Sequence, residues 1–150
     1  MKTICEQNRF NDENKTLSDY SDEVWVVCPA CSKRAIAKAD FLKKNARLFC
    51  VQCGYNKEQS TEIAKNITVN QPAHLFFDAE LWLQAPLKSE TFMAYNDRHL
   101  DYLERYISAT LREHKDRDHF TLLEKPPKFY HRAQNREALI KIIAKLKSKR

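Results

Sequence analysis

The chain has 150 residues, 43% of them hydrophobic and 31% charged, with five cysteines and a formal net charge of +6. That length suits one domain, or one domain with a small module, around a modest core. No apolar run approaches the roughly 20 residues of a membrane helix, and MKTICEQNRFNDENK lacks the apolar stretch and cleavage site of a secretory signal, so a cytoplasmic protein without a membrane partner is expected.

Residues 1–22 are polar and acidic, the composition of a disordered tail. From Val24 the pattern changes. EVWVVC is β-branched and aromatic and reads as a strand, KRAIAKA as its return, ARLFC as a third strand and KEQSTEI as a fourth. NITVNQPAHLFF mixes β-formers with Pro72 and reads as a strand or an extended connection. AELWLQAPLKSETFMAYN reads as a hairpin of Leu81–Ala85 and Thr91–Tyr95. Its turn over Pro86–Glu90 has no glycine, so more than two residues are expected in it. A short helix near Asp78–Leu83 is the alternative. Trp25, Trp82 and Phe92 alternate within these strands and are expected in the core, with base stacking as their other use.

Two helices close the chain. Asn96 or Asp97 is placed to cap DRHLDYLERYISATLREH, where Leu100, Leu103, Ile107, Leu111 and His114 share one face. Asp101 and Arg105 have the spacing of an i,i+4 pair. KDRDHFTLLEKPPKFYHRAQ is a connection broken by Pro126 and Pro127. Asn135 then caps REALIKIIAKLKSK, with Leu139, Ile142, Ile143 and Leu146 as an apolar stripe and Lys141, Lys145 and Lys149 on the opposite face. The expected fold class is α+β: an acidic tail over 1–22, a small antiparallel β-module over 23–62, and a β-hairpin with two amphipathic helices over 63–150.

The chemistry-bearing motif is CPAC at 28–31 with CVQC at 50–53. Each Cys-x-x-Cys lets two thiolates grip one metal from a tight knuckle, and two knuckles complete a tetrahedral S₄ shell. The eighteen residues between them are the length of a β-hairpin, which would bring the knuckles together. Cys28, Cys31, Cys50 and Cys53 are therefore expected to hold one structural Zn²⁺, with iron in a rubredoxin-like site as the other metal for the same ligands. A thioredoxin-type redox pair would need one motif at a helix start, and the β-rich flanks argue against it. A closed Cys₄ shell has no open coordination position, so no catalysis is expected at the metal. Cys5 is given no role. The only glycine, Gly54, follows the second knuckle, where a positive φ is expected and a Cβ would crowd the turn.

No catalytic constellation stands out. The histidines at 74, 99, 114, 119 and 131 form no His-Glu-x-x-His, and one glycine cannot build a phosphate loop. AYNDRH hints at a zinc-organised nuclease, but no His/Asn set completes it, and Asn96–Asp97 are accounted for by a helix cap. The expectation is a non-enzymatic protein without a small-molecule substrate. Residues 125–150 carry nine basic residues and one acidic one. Such a patch suits a polyanion, DNA or RNA, with Lys125, Lys128, Arg132, Arg136, Lys141 and Lys145 as the expected phosphate contacts. A solvated helix face is the plainer reading. KPPKFYHR interleaves basic and aromatic residues and suits nucleic acid or a protein partner.

At the two knuckles the chain resembles a zinc ribbon of the transcription-factor-IIB type. ELWLQAPL, FMAYNDRHLDYLERYISATLRE and QNREALIKIIAKLK resemble bacterial zinc-ribbon-containing proteins of unassigned function, over roughly residues 24–148. Members of that group often carry further cysteines between the LWL and AYN stretches, whereas this chain reads LKSE there. The resemblance implies zinc binding and, by analogy, a role near nucleic acid. A protein-interaction adaptor, docking through the ribbon and the aromatic hairpin, is the alternative.

Overall fold

The computed structural model describes residues 9–11, 20–108, 111–113 and 133–149. Among the described residues there are ten strands: β1 (Arg9–Asn11), β2 (Glu23–Val27), β3 (Arg34–Asp40), β4 (Asn45–Phe49), β5 (Asn56–Ser60), β6 (Glu62–Ala64), β7 (Ile67–Thr68), β8 (Leu83–Leu87), β9 (Glu90–Ala94) and β10 (Leu111–Glu113). Two helices are α1 (Asp97–Ser108) and α2 (Arg136–Lys147). The chain is α+β, as its strand and helix patterns suggested. Among the described residues no helix is long and apolar enough to cross a membrane. The described residues fall into two compact units, one of 20–84 with 93–96 and one of the remainder.

The first unit is built on an antiparallel sheet of order β2-β3-β4-β5. The first three are the strands expected; of KEQSTEI only the first part lies in β5, which ends at Ser60, and Glu62 and Ile63 belong to β6, paired with β7 in a separate sheet. Alternation decides which side chains point inward: Val24, Val26, Ala35, Ala37, Ala46 and Leu48 are buried, and their neighbours along each strand are not. A 3₁₀ turn over Ala73–Phe77 packs against β2, β3 and β4. AHLFF was expected to be extended. Instead Pro72 enters at φ −55°, the Leu75 N–H bonds the Pro72 carbonyl, and Asp78 at φ 49° ends the turn. This buries Ala73, His74 and Phe76. The neighbouring segment at Asp78–Leu83 is not helical; Leu81 bridges Val26 and continues the sheet past β2.

Within residues 1–22 the described portions are Arg9–Asn11, a strand parallel to β10, and residues 20–22, where Tyr20 is buried. Asn96 helps hold Tyr20: its side-chain amide donates to the Tyr20 and Glu23 carbonyls at 3.0 and 2.7 Å.

In the second unit α1 and α2 pack together. Leu100, Leu103 and Ile107 are buried as expected, joined by His99, Tyr102 and Tyr106. The apolar face stops short of its expected end. Leu111 lies in β10, paired with Arg9, because tertiary strand pairing outweighs helix propensity there; His114 lies outside the described residues. Asp101 pairs with Lys147 of α2 at 3.0 Å, and Glu104 pairs with the same lysine at 2.8 Å. On α2 Leu139, Ile143 and Leu146 are buried and Ile142 half-buried. Asn135 occupies the N-cap position but makes no capping bond; its Oδ1 accepts from Lys88 Nζ at 3.2 Å.

The β8–β9 turn holds two residues, Lys88 and Ser89, where a longer turn was expected. Lys88 takes φ 56° and supplies the geometry that glycine usually supplies. Among the described residues Ser32, Lys44, Asn66 and Asp78 likewise take positive φ. Each costs roughly 1–2 kcal/mol relative to glycine. Phe92 is fully buried, but Trp25 and Trp82 are only half-buried, on the outward face of the sheet rather than in the core.

Candidate metal centre

The antiparallel register brings the two Cys-x-x-Cys turns to the same end of the sheet. β2 runs into the first knuckle and β3 leaves it; β4 runs into the second and β5 leaves it. The knuckles share one backbone design. In the first, Ser32 N–H bonds the Cys28 carbonyl at 3.0 Å and Cys28 N–H bonds the Lys33 carbonyl at 2.8 Å. In the second, Gly54 N–H bonds the Cys50 carbonyl at 2.9 Å and Cys50 N–H bonds the Tyr55 carbonyl at 2.8 Å. The residue after each second cysteine is left-handed, Ser32 at φ 61° and Gly54 at φ 82°. The positive φ of Gly54 is as expected, but its reason differs. A Cβ on Gly54 would meet nothing within 4 Å, so the requirement is backbone conformation alone, not crowding.

The four sulfurs lie within 4.8 Å of one another. Cys28 and Cys53 are 3.7 Å apart at Sγ, and Cys31 and Cys50 are 3.6 Å apart. A tetrahedral shell with metal–sulfur bonds of about 2.3 Å has S···S edges of about 3.8 Å. The donor set and its spacing therefore fit one tetrahedral S₄ metal ion. Cys28 and Cys50 are buried, Cys31 half-buried and Cys53 exposed.

The sulfur electrostatics point the same way. Burial pushes the Cys28 thiol up, but the N–H groups of Cys31 and Ala30 and the thiols of Cys53 and Cys31 outweigh it and bring it down to about 7. At Cys31 the Lys33 N–H pulls down, while desolvation and the other three sulfurs push it up to about 12. At Cys53 the Tyr55 N–H and Cys31 pull down, and desolvation with Cys28 and Cys50 wins, raising it. Four sulfurs this close cannot all be thiolates without a cation. A bound dication removes that repulsion and displaces the remaining protons. The backbone N–H groups aimed at sulfur orient the ligands and spread their charge.

The expected phosphate contacts are not gathered into a comparable site. Arg136 opens α2 and is half-buried; Lys141 and Lys145 are exposed on it. Lys141 pairs with Glu137 at 3.3 Å, one turn away. Lys125, Lys128 and Arg132 lie outside the described residues, as do Cys5 and the aromatic residues of KPPKFYHR. The feature that sequence reading misplaced is the outward sheet face carrying Trp25 and Trp82. Its signal was present: in EVWVV the valines at 24 and 26 claim one face, which leaves Trp25 on the other. No family model, curated protein or solved structure matches the chain.

Proposed function

We propose that the protein is a non-enzymatic zinc-ribbon protein that associates with nucleic acid. Cys28, Cys31, Cys50 and Cys53 hold one structural Zn²⁺, and the closed tetrahedral arrangement of their sulfurs is the observation that carries this reading. When bound, the ion cross-links the two knuckles; the chain's own N–H groups orient the thiolates, and no ligand position is left for a substrate. Zinc is favoured over iron as the metal that prefers tetrahedral thiolate without redox chemistry. The basic C-terminal arm and helix contact phosphates through Lys125, Lys128, Arg132, Arg136, Lys141 and Lys145. Supporting this, Lys141 and Lys145 are exposed on α2 and Lys149 is exposed just beyond it, and residues 125–150, with nine basic residues and one acidic, carry more positive charge than the chain's net +6.

The test is a titration of labelled DNA and RNA at rising salt. Six phosphate contacts give a log–log slope of roughly −4 to −5. Absence of measurable binding at ~50 mM salt sinks the nucleic-acid reading and leaves the metal reading intact. An adaptor role is favoured by a different observation, the exposed Ile63 (72%) and Ile67 (53%) on the β6–β7 hairpin. That reading requires a stoichiometric protein partner retained after nuclease treatment.

A further inference from the structure

The outward face of the sheet can be read row by row from its register. Trp25 is paired with Ile36, Ile36 with Phe49 and Phe49 with Asn56. The antiparallel bridge between Val26 and Leu81 places Trp82 beside Trp25, and the Trp82 N–H bonds the Trp25 carbonyl at 3.0 Å. The result is a row Trp82–Trp25–Ile36–Phe49 crossing the sheet, every member half-buried. With strands about 4.8 Å apart the row is roughly 14 Å long.

The charges on this face are sorted. Arg34 and Lys38 lie on β3 and Arg47 on β4, the two central strands. Most carboxylates stand at the outer positions, Glu23 on β2, Glu58 on β5 and Glu80 beyond β2, and Glu23 pairs with Lys38 at 3.5 Å; Asp40, at the end of β3, is the exception. A polyanion lying along β3 and β4 therefore meets Arg34, Lys38 and Arg47 before it reaches Asp40, which ends β3 on the same face and lies 3.9 Å from Lys43. The Arg34 guanidinium lies 4.3 Å from the Trp25 ring centroid, and that of Arg47 lies 5.2 Å from the Phe49 ring. Among the described residues neither arginine has a carboxylate partner. Arg47 spends one donor on Asn56 at 2.8 Å. A guanidinium lying over an aromatic ring keeps its remaining N–H groups directed outward in its own plane, the arrangement that grips phosphate.

We infer that this face is a stacking platform for single-stranded nucleic acid, with bases on Trp82, Trp25 and Phe49 and phosphates on Arg34, Lys38 and Arg47. It rests on the nucleic-acid reading above and extends it from charge to a base-contacting surface. Single strands suit the row because unpaired bases offer π-faces, whereas a duplex hides them.

The chain supplies its own probe. It has two tryptophans, and both are in the row. Metal-loaded full-length protein is titrated with unlabelled oligo-dT and oligo-rU of about 16 nucleotides, following tryptophan emission. The same strands carrying a fluorophore report binding by anisotropy, with a duplex of equal length alongside. Saturable quenching by single strands is expected. Phe49→Leu should weaken binding roughly tenfold, and Phe49→Tyr should restore it. Arg47→Ala, at an exposed position that does not threaten folding, should weaken binding and reduce the salt slope by about one. If oligonucleotides bind but emission is unchanged and both Phe49→Leu and Arg47→Ala bind as the parent does, the platform is overturned while the C-terminal contacts stand. Tighter binding of the duplex than of single strands also overturns it. If nothing binds at low salt, both readings fall and the face belongs to a protein partner.

Discussion

On the inner face of the four-stranded sheet the buried side chains are two valines, three alanines and Leu48; elsewhere in the unit Tyr20, Phe76, Leu81, Leu83 and Tyr95 are buried. The helix pair instead buries Tyr102, Tyr106, Leu100, Leu103, Ile107, Leu139 and Ile143. Alanine burial removes little apolar area, and at roughly 25 cal/mol per Å² the sheet unit gains correspondingly less from its core. The strand edge shows the same economy, since all of β5 is exposed. What the sheet unit has in exchange is the sulfur cluster at its end. A sheet face lined largely by alanines is expected to lean on a cross-link more than a helix pair packed with leucines, isoleucines and tyrosines.

The largest expected effect breaks the sheet unit alone. Cys50→Ser, or removal of metal by a chelator, should abolish hydrogen-exchange protection in β2 to β5 and leave α1 and α2 protected. Structural zinc contributes on the order of 10 kcal/mol to comparable modules at neutral pH. Equal loss of protection in both units would end the contrast. The converse change is Ile143→Ala, which should cost about 2–5 kcal/mol and lower the melting of the helical unit without releasing metal.

Acid sharpens the comparison. Burial holds His99 at about 4, below its ordinary value of 6.5, so the folded helical unit keeps this ring neutral. A depressed folded value means stability is present above 6.5 and falls as pH drops toward 4, by about 3 kcal/mol in all. His99→Gln should flatten that dependence, measured by denaturant unfolding of α1 and α2 between these limits. The sheet unit should instead lose metal in acid as its sulfurs are protonated.

The smallest effects lie in the knuckle turns. Because a Cβ at Gly54 has open space, Gly54→Asn should cost little, and Gly54→Val more, about 1–2 kcal/mol or above through its φ. Ser32→Gly should strengthen metal retention slightly. A competition assay against a chromophoric chelator ranks all three.

The sheet strands and the four cysteines were legible because alternation and ligand spacing are local signals. The elements that were misread depend on partners remote in sequence. Leu111 leaves its helical period to pair with Arg9, and Asn135 gives up its capping bond while accepting from Lys88. AHLFF curls because three strands need covering. Trp25 and Trp82 read as core because aromatic strands usually are, but this sheet has one buried face and they are on the other. The lone glycine misled in a second way: its scarcity suggested long turns, yet Lys88 and Ser32 accept the strain that glycine would avoid.

The measurement that bears most directly on the central claim is a native mass spectrum of the parent chain and of Cys50→Ser, each purified without added metal. One zinc per chain in the parent, and none in the variant together with charge states of an unfolded sheet unit, is the expected result. A parent chain without metal, carrying the mass deficit of disulfide-paired cysteines, would contradict it.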